Sequence, residues 1–273
     1  RFASEEFAEQ VAQILAGNGI KAYLASKACP TPVVTYNVLE HNAAGGVIIT
    51  ASHNPPQWNG FKFRLKNSGS ATPQVTAYLD HAIEQASQTG AKSMDIDLAK
   101  KHGLVEYIDP MAPCLQKIAS IVDLSIITDS DMDIVADAMY GAGAGYFPSL
   151  LSKGNKSVLE LHGERNPCFP GISQPEPIAH NLKDLAKTVV DKASNIGLAL
   201  DADADRLGII DENGTFVTPL QTFSLLALYL LEVQGERGAL VKTQTSTDMI
   251  FRLGEIFNVP VFETPVGFKY VAP

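Results

Sequence analysis

The sequence predicts an α/β protein built from consecutive doubly wound domains with mixed, mostly parallel sheets. Short apolar runs that suit buried strands alternate along the chain with longer stretches in which apolar residues recur every three or four positions, as in amphipathic helices. Glycine-rich or polar clusters follow several of the strands, where open α/β sheets bind ligands. The alternation begins anew near residues 112 and 218, so we place domains at 1–112, 113–218 and 219–273.

In the first domain, Ser4 is the expected N-cap of a helix with one apolar face, and Pro30-Thr31-Pro32 is the expected start of a second helix. Gly45–Thr50 is apolar throughout, which is typical of a strand covered on both faces. The predicted elements are helix 5–17, strand 21–25, helix 30–41, strands 45–50 and 61–65, helix 76–88 and strand 104–108.

In the second domain, Asn213-Gly214 predicts a hairpin turn between two strands. The predicted elements from residue 111 to 217 are helix 111–122, strands 132–136 and 157–161, helix 181–193, and strands 196–200, 207–211 and 215–217. The third domain should contain helix 220–233, strand 239–242, helix 247–257 and strand 261–262, with one more helix after "TPVGFKY".

Composition excludes several classes of function. A net charge of −9 without a basic cluster argues against nucleic acid as a partner. No apolar run approaches the roughly 18–20 residues that cross a membrane. The 3 cysteines lack metal-ligand spacing and are odd in number, so we expect no disulfide framework and a reducing, cytoplasmic location.

The stretch "LALDADADRLGIIDENG" suggests a metal site. Asp201, Asp203 and Asp205 alternate after an apolar strand, so an extended backbone would point all three carboxylates the same way. Such oxygens repel each other unless a cation lies between them, which favours Mg²⁺. An EF-hand loop is rejected because Arg206 stands where glycine is required. An aspartyl nucleophile at Asp201 remains an alternative.

"TASHNPPQWNGFKF" places Ser52 just after a strand, in a loop stiffened by two prolines. No Gly-x-Ser-x-Gly elbow surrounds it, so an acyl-transfer nucleophile fits poorly. A serine that holds a phosphoryl group fits better, because phosphoryl transfer requires chiefly positioning and charge neutralisation. Taken alone, Ser52 is better interpreted as a residue that caps a turn with Asn54.

Together, "TASHNP", Lys62 in "NGFK" and the "DADADR" motif resemble the α-D-phosphohexomutase superfamily of phosphoglucomutases and phosphomannomutases. "RF-SEEFA", "CPTP", "MYGAGAGY", "FPG", "PEP", "VKT" and "TPVGFKY" extend the resemblance in order along the chain. The family's usual motif has glycine where this chain has Ala202 and Ala204, so the metal loop could be strained.

The resemblance implies a four-domain enzyme, of which this chain would be a piece truncated at both ends. Residues 1–112 would be the phosphoserine domain, 113–218 the metal-binding domain, and 219–273 part of the sugar-binding domain. The family's sugar-selecting loop and its fourth-domain phosphate clamp would then lie beyond the sequence.

The resemblance also implies roles for individual residues. Ser52 would be the phosphoryl carrier, and its phosphate would join Asp201, Asp203 and Asp205 around Mg²⁺. Lys62 would be a general acid/base or neutralise the transferring phosphate, and Arg206 would bind phosphate. The residues expected to contact substrate or orient the serine are Arg1, His53, Asn54, Lys242, Gly267 and Phe268.

The expected reaction interconverts hexose 1-phosphate and hexose 6-phosphate through a hexose 1,6-bisphosphate. Glucose is the first choice of hexose and mannose the second, ahead of the glucosamine-phosphate branch. Two rivals remain: a phosphatase or phosphotransferase with an aspartyl nucleophile, and a non-catalytic scaffold that keeps the fold. "YGAGAGY" lacks the Lys-Ser/Thr of a P-loop and is interpreted as a structural strand-to-helix turn.

Overall fold

The computed structural model describes residues 1–152 and 157–271. Three successive groups of helices and strands follow one another, here called the first segment (residues 1–110), the second segment (111–218) and the third segment (219–271). Each combines helices with paired strands, which confirms the predicted α/β class.

The first segment contains two strand pairs of opposite sense. Its elements are α1 Ser4–Gly17, β1 Ala22–Ala25, α2 Thr31–Glu40, β2 Gly45–Ile49, β3 Phe61–Leu65, α3 Pro73–Thr89, α4 Ile96–Lys101 and β4 Val105–Ile108. β1 and β4 pair in parallel, with Ala22 opposite Val105, whereas β2 and β3 pair antiparallel, with Ile49 opposite Phe61. The pairing here is therefore mixed and not mostly parallel.

Small side chains allow α1 and α4 to approach the β1–β4 pair closely. Ala12, Ala16, Ala22 and Ala99 are buried there around Val105. The expected cap at Ser4 is wrong: Ala3 occupies the N-cap position with a left-handed backbone, and the Ser4 hydroxyl accepts a hydrogen bond from Asn59. A side-chain partner from a distant loop outcompetes the local cap.

The second segment contains a five-stranded sheet. Its elements are α5 Met111–Ile121, α6 Ser125–Thr128, β5 Ile134–Asp137, α7 Tyr146–Leu151, β6 Leu159–Leu161, α8 Lys183–Asp191, β7 Ile196–Leu200, β8 Leu207–Asp211 and β9 Phe216–Val217. The strand order is β6-β5-β7-β8-β9, parallel from β6 to β7 and antiparallel from β7 to β9. Gly214 has φ 78° in the β8–β9 turn, which confirms the predicted hairpin.

One face of this sheet is covered by α8. Leu185 and Val189 of α8 are fully buried against Val135 and Ile210 of the sheet, in the largest group of buried apolar residues. A strongly amphipathic helix thus shields the sheet whose strand β7 leads to the three aspartates.

The third segment is smaller. Its elements are α9 Pro219–Leu228, a π-helical turn Tyr229–Val233, β10 Leu240–Thr243, α10 Met249–Phe257, β11 Val261–Thr264 and α11 Phe268–Val271. A capping box between Thr218 and Gln221 begins α9. β10 and β11 pair in parallel over a core that includes Leu231, Ile250 and Leu253.

The first and second segments meet at several points. The backbone N–H of Thr31 donates to the carbonyl of Asp203 at 2.8 Å, and Arg165 forms an ion pair with Glu5 at 2.6 Å. Among the described residues, no helix is both long and apolar enough to span a membrane. Cys29, Cys114 and Cys168 are free thiols.

Candidate active site

Ser52 lies in the serine loop, defined as residues 50–60 between β2 and β3. Its backbone has φ 52°, a left-handed conformation that is costly for a residue with a side chain. The Ser52 N–H donates to the hydroxyl of Thr50 at 2.9 Å, and its Oγ lies 3.4 Å from Nδ1 of His53. The loop therefore holds Ser52 in a defined, strained orientation, which is common at functional sites.

The three aspartates form the aspartate loop, residues 201–206, directly after β7. One carboxylate oxygen from each of Asp201, Asp203 and Asp205 lies within 4.8 Å of the others. Oδ1 of Asp201 accepts hydrogen bonds from the backbone N–H groups of Asp205 at 2.9 Å and Arg206 at 3.0 Å. These bonds curl the loop so that the carboxylates converge.

The two loops face each other. Ser52 Oγ lies 3.5 Å from Oδ2 of Asp201, within hydrogen-bond distance although the residues are 149 positions apart in sequence. The fold thus brings together the serine and the aspartates that the sequence singled out.

The two carboxylate oxygens of Asp203 have different environments. Oδ2 accepts hydrogen bonds from the hydroxyls of Thr31 at 2.8 Å and Thr50 at 3.2 Å, and from Nζ of Lys62 at 2.9 Å. Oδ1 is buried and has no hydrogen-bond partner among the described residues. A buried carboxylate oxygen without a donor is costly, and it is a suitable ligand for a cation.

The pKa values of the aspartates also reflect crowded negative charge. Burial, followed by the charges of Asp203 and Asp205, raises the pKa of Asp201 to about 7. Burial acts in the same direction on Asp203, but the hydrogen bond and charge of Lys62 bring its pKa below the ordinary value. The cluster can hold a metal ion, because a divalent cation would compensate both the charge and the unpaired oxygen.

Lys62, on β3, enters the cluster from the side of the serine loop. Besides its bond to Asp203, its Nζ lies 3.6 Å from Oδ2 of Asp205. Lys62 thus places a positive charge and hydrogen-bond donors beside the carboxylates that face Ser52.

Arg1 acts on the backbone of the serine loop. Its guanidinium donates to the carbonyl oxygens of Ser52 and, at 2.9 Å, Pro55, and it lies over the ring of Phe169 at 5.1 Å. Burial lowers the pKa of Arg1, while the charges of Asp203 and Asp201 oppose that effect. Arg1 therefore holds the serine loop through hydrogen bonds to the carbonyl oxygens of the loop.

Two predicted phosphate-binding or orienting residues have other partners. The guanidinium of Arg206 forms an ion pair with Glu176. The backbone N–H of Arg206, in contrast, donates a hydrogen bond to Asp201. Asn54 is exposed, and its side chain donates to the carbonyl of Ala51 at 2.9 Å, as expected of a turn residue.

The residues predicted near the sugar lie in the third segment. Lys242 is buried, with Nζ 2.7 Å from Glu263 and 3.3 Å from Asp248. The hydrogen bond from Lys242 to Glu263 raises its pKa, against the effect of burial. Gly267 has φ 127°, and Phe268 begins α11, but the Phe268 side chain lies outside the described residues. Within the described chain, no hydrogen bond or ion pair joins Lys242 to Ser52 or to the aspartate loop.

The two alanines of the aspartate loop differ in backbone conformation. Ala204 has φ 53°, whereas Ala202 does not have a positive φ and is buried, with its carbonyl accepting from Ala142 at 2.8 Å. Strain from the replaced glycines is therefore confined to position 204.

Sequence reasoning missed Thr31, Thr50 and Glu176 as parts of this site. Thr31 and Thr50 lie within the "CPTP" and "TASHNP" motifs, and Glu176 lies within "PEP". The motifs therefore pointed to these residues, but nothing in the sequence indicated which groups they would bind. Their partners become evident only when the loops meet.

Models of the phosphoglucomutase/phosphomannomutase alpha/beta/alpha domains I, II and III match residues 1–90, 112–214 and 218–273. A phosphoglucomutase/phosphomannomutase of Thermococcus kodakarensis is 31% identical over 243 residues, covering 89% of this chain and 52% of that protein. A probable phosphoglucosamine mutase of Pyrococcus abyssi is 32% identical, covering 89% of this chain and 51% of its own length.

Among solved structures, a provisionally assigned phosphomannomutase from Thermus thermophilus matches with a TM-score of 0.87 and 33% identity. The match covers 98% of this chain and 59% of that one. The chain thus spans about half the length of the curated relatives that it matches.

Proposed function

Because this chain belongs to the phosphoglucomutase/phosphomannomutase family, whose members are phosphohexomutases, we propose that it forms the phosphoryl-transfer part of such an isomerase. The proposed reaction interconverts hexose 1-phosphate and hexose 6-phosphate through a hexose 1,6-bisphosphate. We propose the domains 1–112, 113–218 and 219–273 for the phosphoserine, the metal and part of the sugar site.

One observation supports this proposal above all others. Ser52 Oγ lies 3.5 Å from Oδ2 of Asp201, in a cluster where Lys62 binds Asp203 at 2.9 Å. A weak nucleophile, converging carboxylates and a neighbouring ammonium are the groups that metal-assisted phosphoryl transfer requires. Acyl transfer would instead need a base in line with the serine and an oxyanion hole, so the carboxylates and the ammonium around Ser52 favour phosphoryl transfer.

Mg²⁺ is the proposed metal, with Asp201, Asp203, Asp205 and an oxygen of phosphorylated Ser52 as ligands. The donor set is entirely oxygen, one carboxylate oxygen from each aspartate, and Asp203 also has a buried oxygen, Oδ1, without a hydrogen-bond partner among the described residues. When bound, the ion would neutralise charge on the transferring phosphoryl group.

In the proposed first half-reaction, a sugar hydroxyl attacks the phosphorus of phosphorylated Ser52. The new bond joins the sugar oxygen to phosphorus, the bond from Ser52 Oγ to phosphorus breaks, and the hydroxyl proton ends on Ser52 Oγ. Lys62, whose Nζ lies 2.9 Å from Asp203, would serve as general acid/base or offset the charge of the transferring phosphate. In the second half, Ser52 Oγ attacks the phosphorus of the other phosphate of the hexose bisphosphate, the bond from that phosphorus to the sugar oxygen breaks, and the Ser52 proton ends on that sugar oxygen.

The remaining predicted residues have proposed supporting roles. His53 is close enough to orient the Ser52 oxygen, and Arg1 holds the loop carbonyls. Arg206 would turn from Glu176 to a phosphate, and Lys242, Gly267 and Phe268 would face the sugar. Glucose is our first choice of hexose and mannose the second, and a cytoplasmic location agrees with the free thiols.

The alternative of an aspartyl nucleophile is less well supported. Asp201 is fully buried, and two backbone N–H groups bind its Oδ1. A carboxylate held in this way is a better metal ligand than an attacking group.

The test is incubation with glucose 1,6-bisphosphate and Mg²⁺, followed by peptide mass spectrometry. We expect one phosphate on Ser52, stable to acid, and none on the Ser52→Ala variant. An acid-labile phosphate on Asp201, or label that persists in Ser52→Ala, would contradict the proposal.

A further inference from the structure

The glycine-rich turn, residues 138–145, follows β5 and is the motif that the proposed reaction does not use. It lies directly against the aspartate loop. The N–H of Ala142 donates to the carbonyl oxygen of Ala202 at 2.8 Å. A methyl group on Gly141 would lie 2.8 Å from both Cα and the carbonyl oxygen of Ala202. Since nonbonded carbon atoms normally stay about 3.5–4.0 Å apart, only glycine permits this contact.

The point of contact is close to the candidate metal ligands. Ala202 stands between Asp201 and Asp203 in the sequence, and it is buried. A shift of its backbone would therefore move both neighbouring carboxylates. The glycine-rich turn is in this way part of the wall against which the aspartate loop folds.

The turn begins with strained backbone. Met139 and Tyr140 follow one another in the left-handed region, with φ of 46° and 57°. This conformation is unfavourable for residues with side chains, and it persists only where the surrounding structure holds it. The shape of the turn therefore depends on groups that bind these two residues.

Those groups are Asp137, the last residue of β5, and His162, which directly follows β6. We call them the dyad. Oδ1 of Asp137 accepts the N–H of Met139 at 2.8 Å, and it lies 2.9 Å from Nδ1 of His162, which donates because a carboxylate can only accept. The carbonyl of His162 accepts the N–H of Tyr140 at 2.9 Å, and the rings of these two residues lie 4.6 Å apart. The dyad thus binds both left-handed residues.

Stability alone does not account for the dyad. Asp137 is only 1% exposed, and its Oδ2 has no hydrogen-bond partner among the described residues. Burial raises the pKa of Asp137, against the effect of its hydrogen bonds from His162 and Met139, so the fold disfavours the ionised carboxylate. A buried carboxylate with an unpaired oxygen is costly, and it calls for a reason other than packing.

From these contacts we propose that Asp137 and His162 are positioning residues for the metal site. They hold the left-handed start of the glycine-rich turn, and the turn fixes Ala202 and thereby the directions of Asp201 and Asp203. All of these contacts lie between residues 137 and 203, within the second segment. The inference rests on the proposed function, because it requires that the aspartates bind Mg²⁺.

The experiment measures the dissociation constant of Mg²⁺ by isothermal calorimetry, without any turnover, and the stability of each variant by urea denaturation. His162→Phe keeps a ring beside Tyr140 but removes the donor, and it should weaken Mg²⁺ binding about tenfold, as is typical for partners that orient metal ligands. His162→Asn loses the ring but retains a donor in place of Nδ1, and it should restore the affinity.

Gly141→Ala tests the other end of the path. Its methyl group would displace Ala202, so Mg²⁺ binding should again weaken about tenfold. Gly254→Ala is the matched control, because a methyl group there would also be crowded, 3.0 Å from the carbonyl oxygen of Val259, but in the third segment. It should lower the stability and leave the Mg²⁺ affinity unchanged.

Equal Mg²⁺ affinities for the parent protein, His162→Phe and Gly141→Ala would overturn the inference and leave the metal site intact. So would an affinity that His162→Phe preserves and His162→Asn lowers, since the ring and not the donor would then matter. Mg²⁺ binding that Asp203→Asn leaves unchanged would instead overturn the proposed metal site, and the inference with it.

Discussion

The hydroxyl of Thr50 lies 3.2 Å from Oδ2 of Asp203, although the two residues are 153 positions apart. The same hydroxyl accepts the N–H of Ser52 at 2.9 Å. Thr50 therefore connects the backbone of the serine loop to a candidate metal ligand, and its single proton is directed to the carboxylate.

Replacing Thr50 by valine should weaken Mg²⁺ binding about tenfold, because Asp203 would lose a charged hydrogen bond that fixes its orientation. Thr50→Ser keeps the hydroxyl and should restore the affinity. The dissociation constant can be measured by calorimetry, without any turnover. Equal affinities for the valine and serine variants would show that Thr50 does not orient Asp203.

Asp203→Asn removes one negative ligand, so Mg²⁺ affinity should fall by more than about tenfold while the circular dichroism spectrum stays the same. Asp80→Asn, at an exposed position on α3, is a control for the change in net charge. If both variants bind Mg²⁺ like the parent protein, the aspartates have another role.

Ala204→Gly should stabilise the protein by up to about 1 kcal/mol, because glycine accepts the left-handed backbone at φ 53° without the steric cost. Ala202→Gly is the matched comparison and should destabilise, since Ala202 is buried and packs in the core of the second segment. Urea denaturation measures both. A loss of stability for Ala204→Gly equal to that for Ala202→Gly would argue against strain at position 204.

The stability of the metal-free protein should decrease as pH rises from about 4 to about 7. Burial and neighbouring carboxylates raise the pKa of Asp201 from 3.8 to about 7, so the folded state retains a proton that the unfolded state has released. Asp203, with its lowered pKa, contributes the opposite slope only below pH 3.8. The free energy of unfolding should be measured at several pH values in EDTA.

Asp201→Asn is the comparison for this pH dependence, because it leaves the six histidines that titrate in the same range unchanged. We expect a smaller slope between pH 4 and 7 in the variant. An identical slope would mean that Asp201 is already ionised across this range.

Arg206→Gln should slow phosphorylation of Ser52, whereas Glu176→Gln should not. Both break the same partly exposed ion pair, so their effects on stability should each be within about 1 kcal/mol. The rate of phosphate incorporation separates the two roles of Arg206. Equal rates for the two variants would make Arg206 a structural partner of Glu176.

Several features were predictable because they depend on local chemistry. Asn213-Gly214 indicated the hairpin, and the spacing of Asp201, Asp203 and Asp205 indicated converging carboxylates. The aspartates converge on a curled loop after β7, however, and not on the extended backbone that we expected. The short helices Ile96–Lys101 and Ser125–Thr128 were missed because they are only 6 and 4 residues long, too short to show a helical period.

Side-chain partners were harder to predict. The Ser4 hydroxyl bonds to Asn59 and does not cap its helix, and Arg206 bonds to Glu176. These choices depend on which groups the fold brings within about 3 Å of each other. No local pattern encodes them.

The paired bonds between Thr31 and Asp203, one from the backbone N–H and one from the hydroxyl, have a consequence for cooperativity. They attach the aspartate loop of one segment to the first turn of α2 in another, so Asp203, a candidate metal ligand, keeps this orientation only while the two segments are docked. A cation that binds this docked form would stabilise both segments by the same mass-action term. Two segments that melt at different temperatures without metal would then melt in a single transition with it.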